Sequence, residues 1–246
     1  MGTLLTKLRA RLDLLPERQE RVLLGVAVGL FLCLYSPINY LAGSWPAGSA
    51  ETSLDRAIPF VPQWVFIYAL LYLLLPLPLV LPSTRPVYRR ICAAFVLTSA
   101  VSFVVFLLFP LHMDLRPMDL DGGVFAEWML KVIHQVDTPA NCLPSLHVSL
   151  SLLAALSAWT LDRRVGRIAI PLAIVVAFST LFVKQHWAWD VISGWALGLF
   201  SWALLVRDPN HARLVTGRRG VQWLLAGQAL LFLGAWGVFA LDLLPF

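Results

Sequence analysis

Two polar clusters interrupt the apolar runs of this chain, and each contains a histidine. The later one reads Lys184-Gln185-His186-Trp187-Ala188-Trp189-Asp190. Residues four apart share a face of a helix, so the Asp190 carboxylate can accept a hydrogen bond from one ring nitrogen of His186. That bond fixes the tautomer and leaves the other nitrogen free as base, ligand or nucleophile. The earlier cluster, Leu143-Pro144-Ser145-Leu146-His147-Val148, opens another apolar run. Proline suits a first helical turn, where its missing N–H has no partner to lose. Ser145 and His147 then lie at the mouth of that helix, at the depth of His186. A boundary His and Asp wetted by headgroups is the plain alternative. Ionisable residues in membrane segments are functional candidates by default, however, and two histidines at one level from separate spans are hard to explain by packing.

The elements that must position these groups are membrane helices. Of 246 residues, 59% are hydrophobic and 13% charged, with a mean hydropathy of +0.76. A soluble domain carries roughly 25% charge. Long, continuous apolar runs rather than alternating ones indicate the helical class. Seven runs qualify, at about 21–41, 64–82, 91–111, 143–161, 168–183, 187–206 and 221–241. The expected fold is an all-α polytopic bundle, with six spans forming the core and a seventh added. Pro76 and Pro78 should kink the second span. The fifth is the shortest by this reading, so its end, with Lys184 and His186, lies slightly below the membrane surface.

The cations set the orientation. Lys7, Arg9, Arg11, Arg18 and Arg21, then Arg85, Arg89, Arg90, then Arg163, Arg164, Arg167, and finally Arg207, Arg213, Arg218, Arg219 all fall on one side. They are 15 of the 19 Lys and Arg. The positive-inside rule makes that side cytoplasmic and places His147 and His186 outside. The expected location is a bacterial inner membrane with the site facing the periplasm. Only Arg56, Arg116, Lys131 and Lys184 remain outside. The net charge of +5 sits in the inner loops and calls for no nucleic-acid partner. Cys33, Cys92 and Cys142 suggest neither a disulfide nor a zinc site, and Cys142 is expected in an outer loop open to thiol reagents. Residues 1–20 read as a basic amphipathic cytoplasmic segment and not as a cleaved signal peptide. With no repeat or linker, residues 21–246 read as one transmembrane domain. In the outer loop before Cys142, Phe125, Trp128, Met129, Val132 and Ile133 recur at helical spacing and predict a short interfacial helix.

The two clusters resemble the signature of the membrane-bound type 2 phosphatidic acid phosphatase superfamily. Pro144-Ser145-Leu146-His147 matches its Pro-Ser-(Gly or similar)-His motif, with Leu for the usual Gly. Ser179, His186 and Asp190 match its Ser-Arg, five residues, His, three residues, Asp motif, across a core of about 91–206. There are two departures. Thr180 stands where the family usually has arginine, and of the earlier Lys…Arg-Pro motif only Arg116-Pro117 matches, with Phe109 at the Lys position. Lys184 is a candidate replacement. If the fifth helix continues that far, Lys184 lies one turn beyond Thr180, and helical side chains lean back toward the N-terminus. Lys-Gln-His beside Pro-Ser-Leu-His resembles the branch containing inositol phosphorylceramide synthases.

The resemblance implies a site in which His186, held by Asp190, forms a phosphohistidine and His147 moves the proton of the leaving or entering hydroxyl. Arg116, Lys184, Ser145, Ser179 and Gln185 would bind the phosphoryl oxygens. Neither metal nor cofactor is required. The expected substrate is a lipid phosphate, such as a polyprenyl diphosphate or a phosphatidate, taken from the surrounding membrane lipids. Water as acceptor makes a lipid phosphatase, the favoured reading. A lipid or polyol hydroxyl makes a phosphotransferase. Rivals of other classes are a metal site made by His147, His186 and Asp190, and a non-catalytic transporter or scaffold. Oligomeric state is not legible.

Overall fold

The computed structural model describes residue 6 and residues 11–81, 83–117, 119–207 and 219–244. Much of the expected amphipathic segment, including Lys7 and Arg9, lies outside the described residues, as do Arg213 and Arg218. Helices dominate, and among the described residues there is no β-strand beyond one isolated bridge, Gly48 to Leu111. In chain order they are α1 (Glu17–Gly43), α2 (Ser53–Ala57), α3 (Pro62–Val80), α4 (Arg85–Leu108), α5 (Phe125–Val136), α6 (Leu146–Leu161), α7 (Arg163–Phe182), α8 (Ala188–Val206) and α9 (Arg219–Ala240). Six of them, α1, α3, α4, α7, α8 and α9, are long and apolar enough to cross a membrane. The all-α polytopic bundle expected from hydropathy is therefore what forms.

Two boundaries differ from expectation. The shortest apolar helix is α6, not α7. It has 16 residues because it starts at Leu146, after Ser145 as N-cap, so Pro144 stands outside the first turn. Helix α7 has 20 residues because it starts at Arg163. Asp162 ends α6 and caps α7, its carboxylate accepting from Arg164 N–H at 2.8 Å and Val165 N–H at 3.4 Å. A single residue thus joins two antiparallel helices. The expected break in α3 is present: a helical piece ends at Leu74 and the next begins at Leu77, around Pro76 and Pro78, which lack an N–H, while an earlier interruption after Tyr68 involves no proline.

Helix α6 is central, with α7 and α8 packed along it and α3 and α4 behind. Ala154, Ala155, Ser157 and Ala158 are fully buried, so small residues set these close crossings. Gly194 and Gly198 bring α8 nearer still. A Cβ there would lie 2.8 Å from the Ser145 carbonyl oxygen and 2.5 Å from that of Ser149. This contact sets the start of α8 beside the start of α6, where Ser145 N–H donates to the Asp190 carbonyl at 3.1 Å. At the opposite end, buried Glu20 pairs with Arg89 and Arg85 and ties α1 to α4. Helix α9 packs its Trp236 and Phe239 against Phe125 of α5 and exposes most of its apolar surface, as a peripheral seventh span would.

Candidate active site

The chain reverses between α7 and α8, and His186 sits in that reversal. Helix α7 ends at Phe182, and the Thr180 carbonyl accepts from Gln185 N–H at 2.9 Å and His186 N–H at 3.3 Å. Lys184 completes the turn with φ of 55°, in the left-handed region that a non-glycine residue seldom adopts. Asp190 lies in the first turn of α8, and His186 lies just before it. The pair is formed by the helix start rather than by one helical face. Asp190 Oδ2 accepts from Trp187 N–H at 2.8 Å and from His186 Nδ1 at 3.3 Å.

His147, in the first turn of α6, meets the other nitrogen of His186: His147 Nδ1 and His186 Nε2 are 3.0 Å apart. On its far side His147 Nε2 is 2.7 Å from the Tyr68 hydroxyl, at the end of the first piece of α3. A carboxylate only accepts, and with both imidazoles neutral this sets the direction of the whole chain of bonds. His186 Nδ1–H donates to Asp190, His147 Nδ1–H donates to His186 Nε2, and Tyr68 O–H donates to His147 Nε2. Thus His186 Nε2 holds the lone pair, and His147 presents a proton to the same place. Asp190 and His147 engage opposite nitrogens of His186, so the three do not face one point as metal ligands must. Among the described residues no group of three or more His, Cys, Asp or Glu is arranged to hold a metal ion.

Arg116 is 7% exposed and lies beside this chain. Its Nη1 donates to the Asp137 carbonyl at 2.6 Å, and its Nη2 donates to Gln185 Oε1, next to His186. Two buried donors here, Arg116 Nε and Gln185 Nε2, have no acceptor among the described residues. Stranded buried donors are costly and fit an anion. Ser145 Oγ accepts from Val148 N–H at 3.3 Å and caps α6, whose first N–H groups are unpaired within the helix. Ser179 is fully buried and commits its hydroxyl proton to the Val176 carbonyl at 2.6 Å.

Lys184 departs from the sequence reading. The continuation of α7 on which its phosphate role depended does not occur, because the left-handed turn throws its side chain the other way. Its Nζ donates to the carbonyl oxygens of Asp55 at 2.8 Å and Ile58 at 2.7 Å. Burial lowers the Lys184 pKa, with Asp55 and Glu51 opposing. The Asp55 side chain completes a clamp: Oδ1 accepts from Ala188 N–H at 2.8 Å, and Oδ2 accepts from Thr52 N–H at 2.9 Å. The small helix α2 therefore grips the His186 loop on both sides. Cys142 also departs from expectation. It is 1% exposed, packed against Met113 and Trp187, and burial raises its thiol pKa well above the ordinary value.

A cavity of about 280 Å³ reaches this site between α1 and α3. Its walls are mostly apolar, with Leu32, Leu71, Leu75, Ile133, Leu146 and Leu150, while Tyr35, Tyr68, Asp137 and His147 form a polar end. Asp137 Oδ1 accepts from Tyr35 O–H at 2.6 Å and Asn39 Nδ2 at 3.3 Å. Burial raises the Asp137 pKa, against the pull of Arg116 and the Tyr35 bond. Tyr35, Tyr68, Asp55 and Asp137 escaped the sequence reading. Asp55 carried one legible signal, the Thr-x-x-Asp spacing of a capping box.

A model of the PAP2 superfamily matches residues 124–213, a stretch that includes Ser145, His147, Ser179, His186 and Asp190 but stops short of Arg116. No curated protein and no solved structure matches the chain. The match supports the superfamily and, with it, chemistry of the phosphatase or phosphotransferase type. It selects no branch.

Proposed function

We infer, with that superfamily match as premise, that the chain is a lipid phosphate phosphatase working through a phosphohistidine at the extracytoplasmic membrane face. The observation that carries the reading is the run Tyr68, His147, His186, Asp190, which sets the lone pair of His186 Nε2 against a proton of His147 at one spot. The stranded donors of Arg116 and Gln185 beside it suit the phosphoryl oxygens. A phosphoryl group arriving in line with His186 Nε2 takes the place of His147, since 3.0 Å leaves no room between the rings.

In the first step His186 Nε2 attacks phosphorus, the bond to the lipid oxygen breaks, and Asp190 stabilises the cationic ring. His147, in its protonated form, gives the Nδ1 proton to the leaving oxygen. The Tyr68 oxygen, able both to donate and to accept, then takes a bond from Nε2–H. In the second step water attacks phosphorus, its proton goes to His147 Nδ1, and the electron pair of the broken P–N bond returns to His186. The apolar cavity suits the chain of a lipid substrate of the polyprenyl diphosphate or phosphatidate kind, taken sideways from the bilayer. No step needs a metal. The bacterial inner membrane, with this face toward the periplasm, is the setting that the cation count favours.

A second reading, transfer to a lipid or polyol hydroxyl as in the inositol phosphorylceramide synthase-like branch, uses the same residues and is favoured by Asp137 in the cavity wall. The test is phosphate release by the purified protein from a panel of lipid phosphates, with acid-quenched trapping of labelled phosphoprotein. His186→Ala should abolish both signals. Turnover that survives in this variant would remove His186 as nucleophile.

A further inference from the structure

Asp137 has no part in the steps above, and its position is unfavourable for a carboxylate. It is 8% exposed, faces a mainly apolar cavity, and directly follows the last turn of α5, where the helix dipole disfavours negative charge. Its Oδ1 is held by two donors, Tyr35 and Asn39. Asn39 is fixed in turn, its Oδ1 accepting from Thr138 N–H at 2.9 Å and Thr138 O–H at 2.8 Å. Asp137 Oδ2 receives no hydrogen bond from any described residue. A rigidly held acceptor therefore lines the same cavity as His147.

A phosphoryl group brings negative charge and chiefly acceptor oxygens, so this oxygen of a carboxylate does not suit the phosphate end of a substrate. It suits an O–H donor. From a lipid monophosphate such as a phosphatidate the reaction makes one: when the P–O bond breaks and His147 supplies its proton, the leaving group is a lipid alcohol, whose hydroxyl is released beside the apolar cavity. We propose that Asp137, held by Tyr35 and Asn39, binds the hydroxyl of a lipid alcohol in the cavity, so that the phosphoenzyme can pass its phosphoryl group to a membrane lipid as well as to water. In that transfer the alcohol oxygen forms the new bond to phosphorus, its proton goes to His147 Nδ1, and the P–N electron pair returns to His186. The proposal rests on the phosphohistidine reading.

The experiment supplies a lipid phosphate that the protein turns over, together with the corresponding alcohol in deuterated form, in mixed micelles. Mass spectrometry reads deuterated lipid phosphate, and a colorimetric assay reads free phosphate. The wild type should make both. Asp137→Asn keeps the shape and an acceptor for Tyr35 but turns an amide donor toward the cavity. Its ratio of transfer to hydrolysis should fall about tenfold or more, as for one lost charged hydrogen bond. Thermal unfolding of the same samples reports whether the isosteric variant is folded. Phosphate without deuterated product from the wild type, or an unchanged ratio in the folded variant, overturns the proposal and leaves the phosphohistidine reading intact. Both products persisting in His186→Ala defeats the underlying reading instead.

Discussion

Lys184→Met separates a loop anchor from a phosphate ligand. The substitution keeps the length and most of the apolar stem and removes the ammonium. Two carbonyl oxygens, of Asp55 and Ile58, lose donors at 2.8 and 2.7 Å. A stranded buried acceptor costs about 1–3 kcal/mol. Burial already disfavours the Lys184 charge, and removing it recovers part of that cost. The net loss should therefore fall near the lower end, about 2–4 kcal/mol for the pair. At roughly 2–4 °C per kcal/mol for a chain of this size, Tm should drop by about 4–16 °C. The loop carrying His186 loosens with its anchor, so kcat falls as well. Inhibition by vanadate or inorganic phosphate should change little, because the ammonium is turned toward α2. The assay pairs a thermal scan in one detergent at one scan rate with inhibition constants for the two anions. An unchanged Tm with a ten- to hundredfold loss of anion affinity would put the ammonium on the phosphate and refute the anchor.

Three further outcomes test the structure. Gly198→Ala places a Cβ 2.5 Å from a backbone oxygen of α6, so it should lower stability by about 1–3 kcal/mol and reduce turnover. Gly227→Ala, with nothing within 4 Å, should be neutral in the same melts and assays. Burial, then the Arg116 charge, pushes His134 down to about 3 from an ordinary value near 6.5. The unfolded chain thus binds more protons between those values, so stability rises with pH across that window and is lost as pH is lowered through it. His134→Leu should flatten Tm against pH there, whereas Asp137, shifted upward, contributes with the opposite sign in both proteins and cancels in the comparison. For orientation, Arg56 has a side chain 73% exposed, so Arg56→Cys in a cysteine-free background should react with an impermeant maleimide from outside only. Native Cys142, buried as it is, should resist the same reagent.

The helical membrane class was legible in the sequence because hydropathy is a property of consecutive residues, and His147 and His186 stood out as candidates because each motif spans only a few positions; that the two rings meet is a fact of the tertiary structure. The interfacial helix at 125–136 followed from periodicity in the same way. The end of α7 was legible to within a residue, the apolar run stopping at Val183 and the helix at Phe182; the conformation of that boundary, a left-handed turn at Lys184 closed on a carbonyl of the preceding turn, was not. That one boundary moved the Lys184 ammonium from the expected phosphate site to α2, a contact across 129 residues of chain. Tyr68, one partner of His147, lies 79 residues away, and Tyr35, one of the two donors that hold Asp137, lies 102 residues away. Local sequence chose which groups could do chemistry. Which of them touch was decided by how α1, α3 and α8 close around α6, because hydrogen bonds reach only about 3 Å and only packing brings distant residues that near.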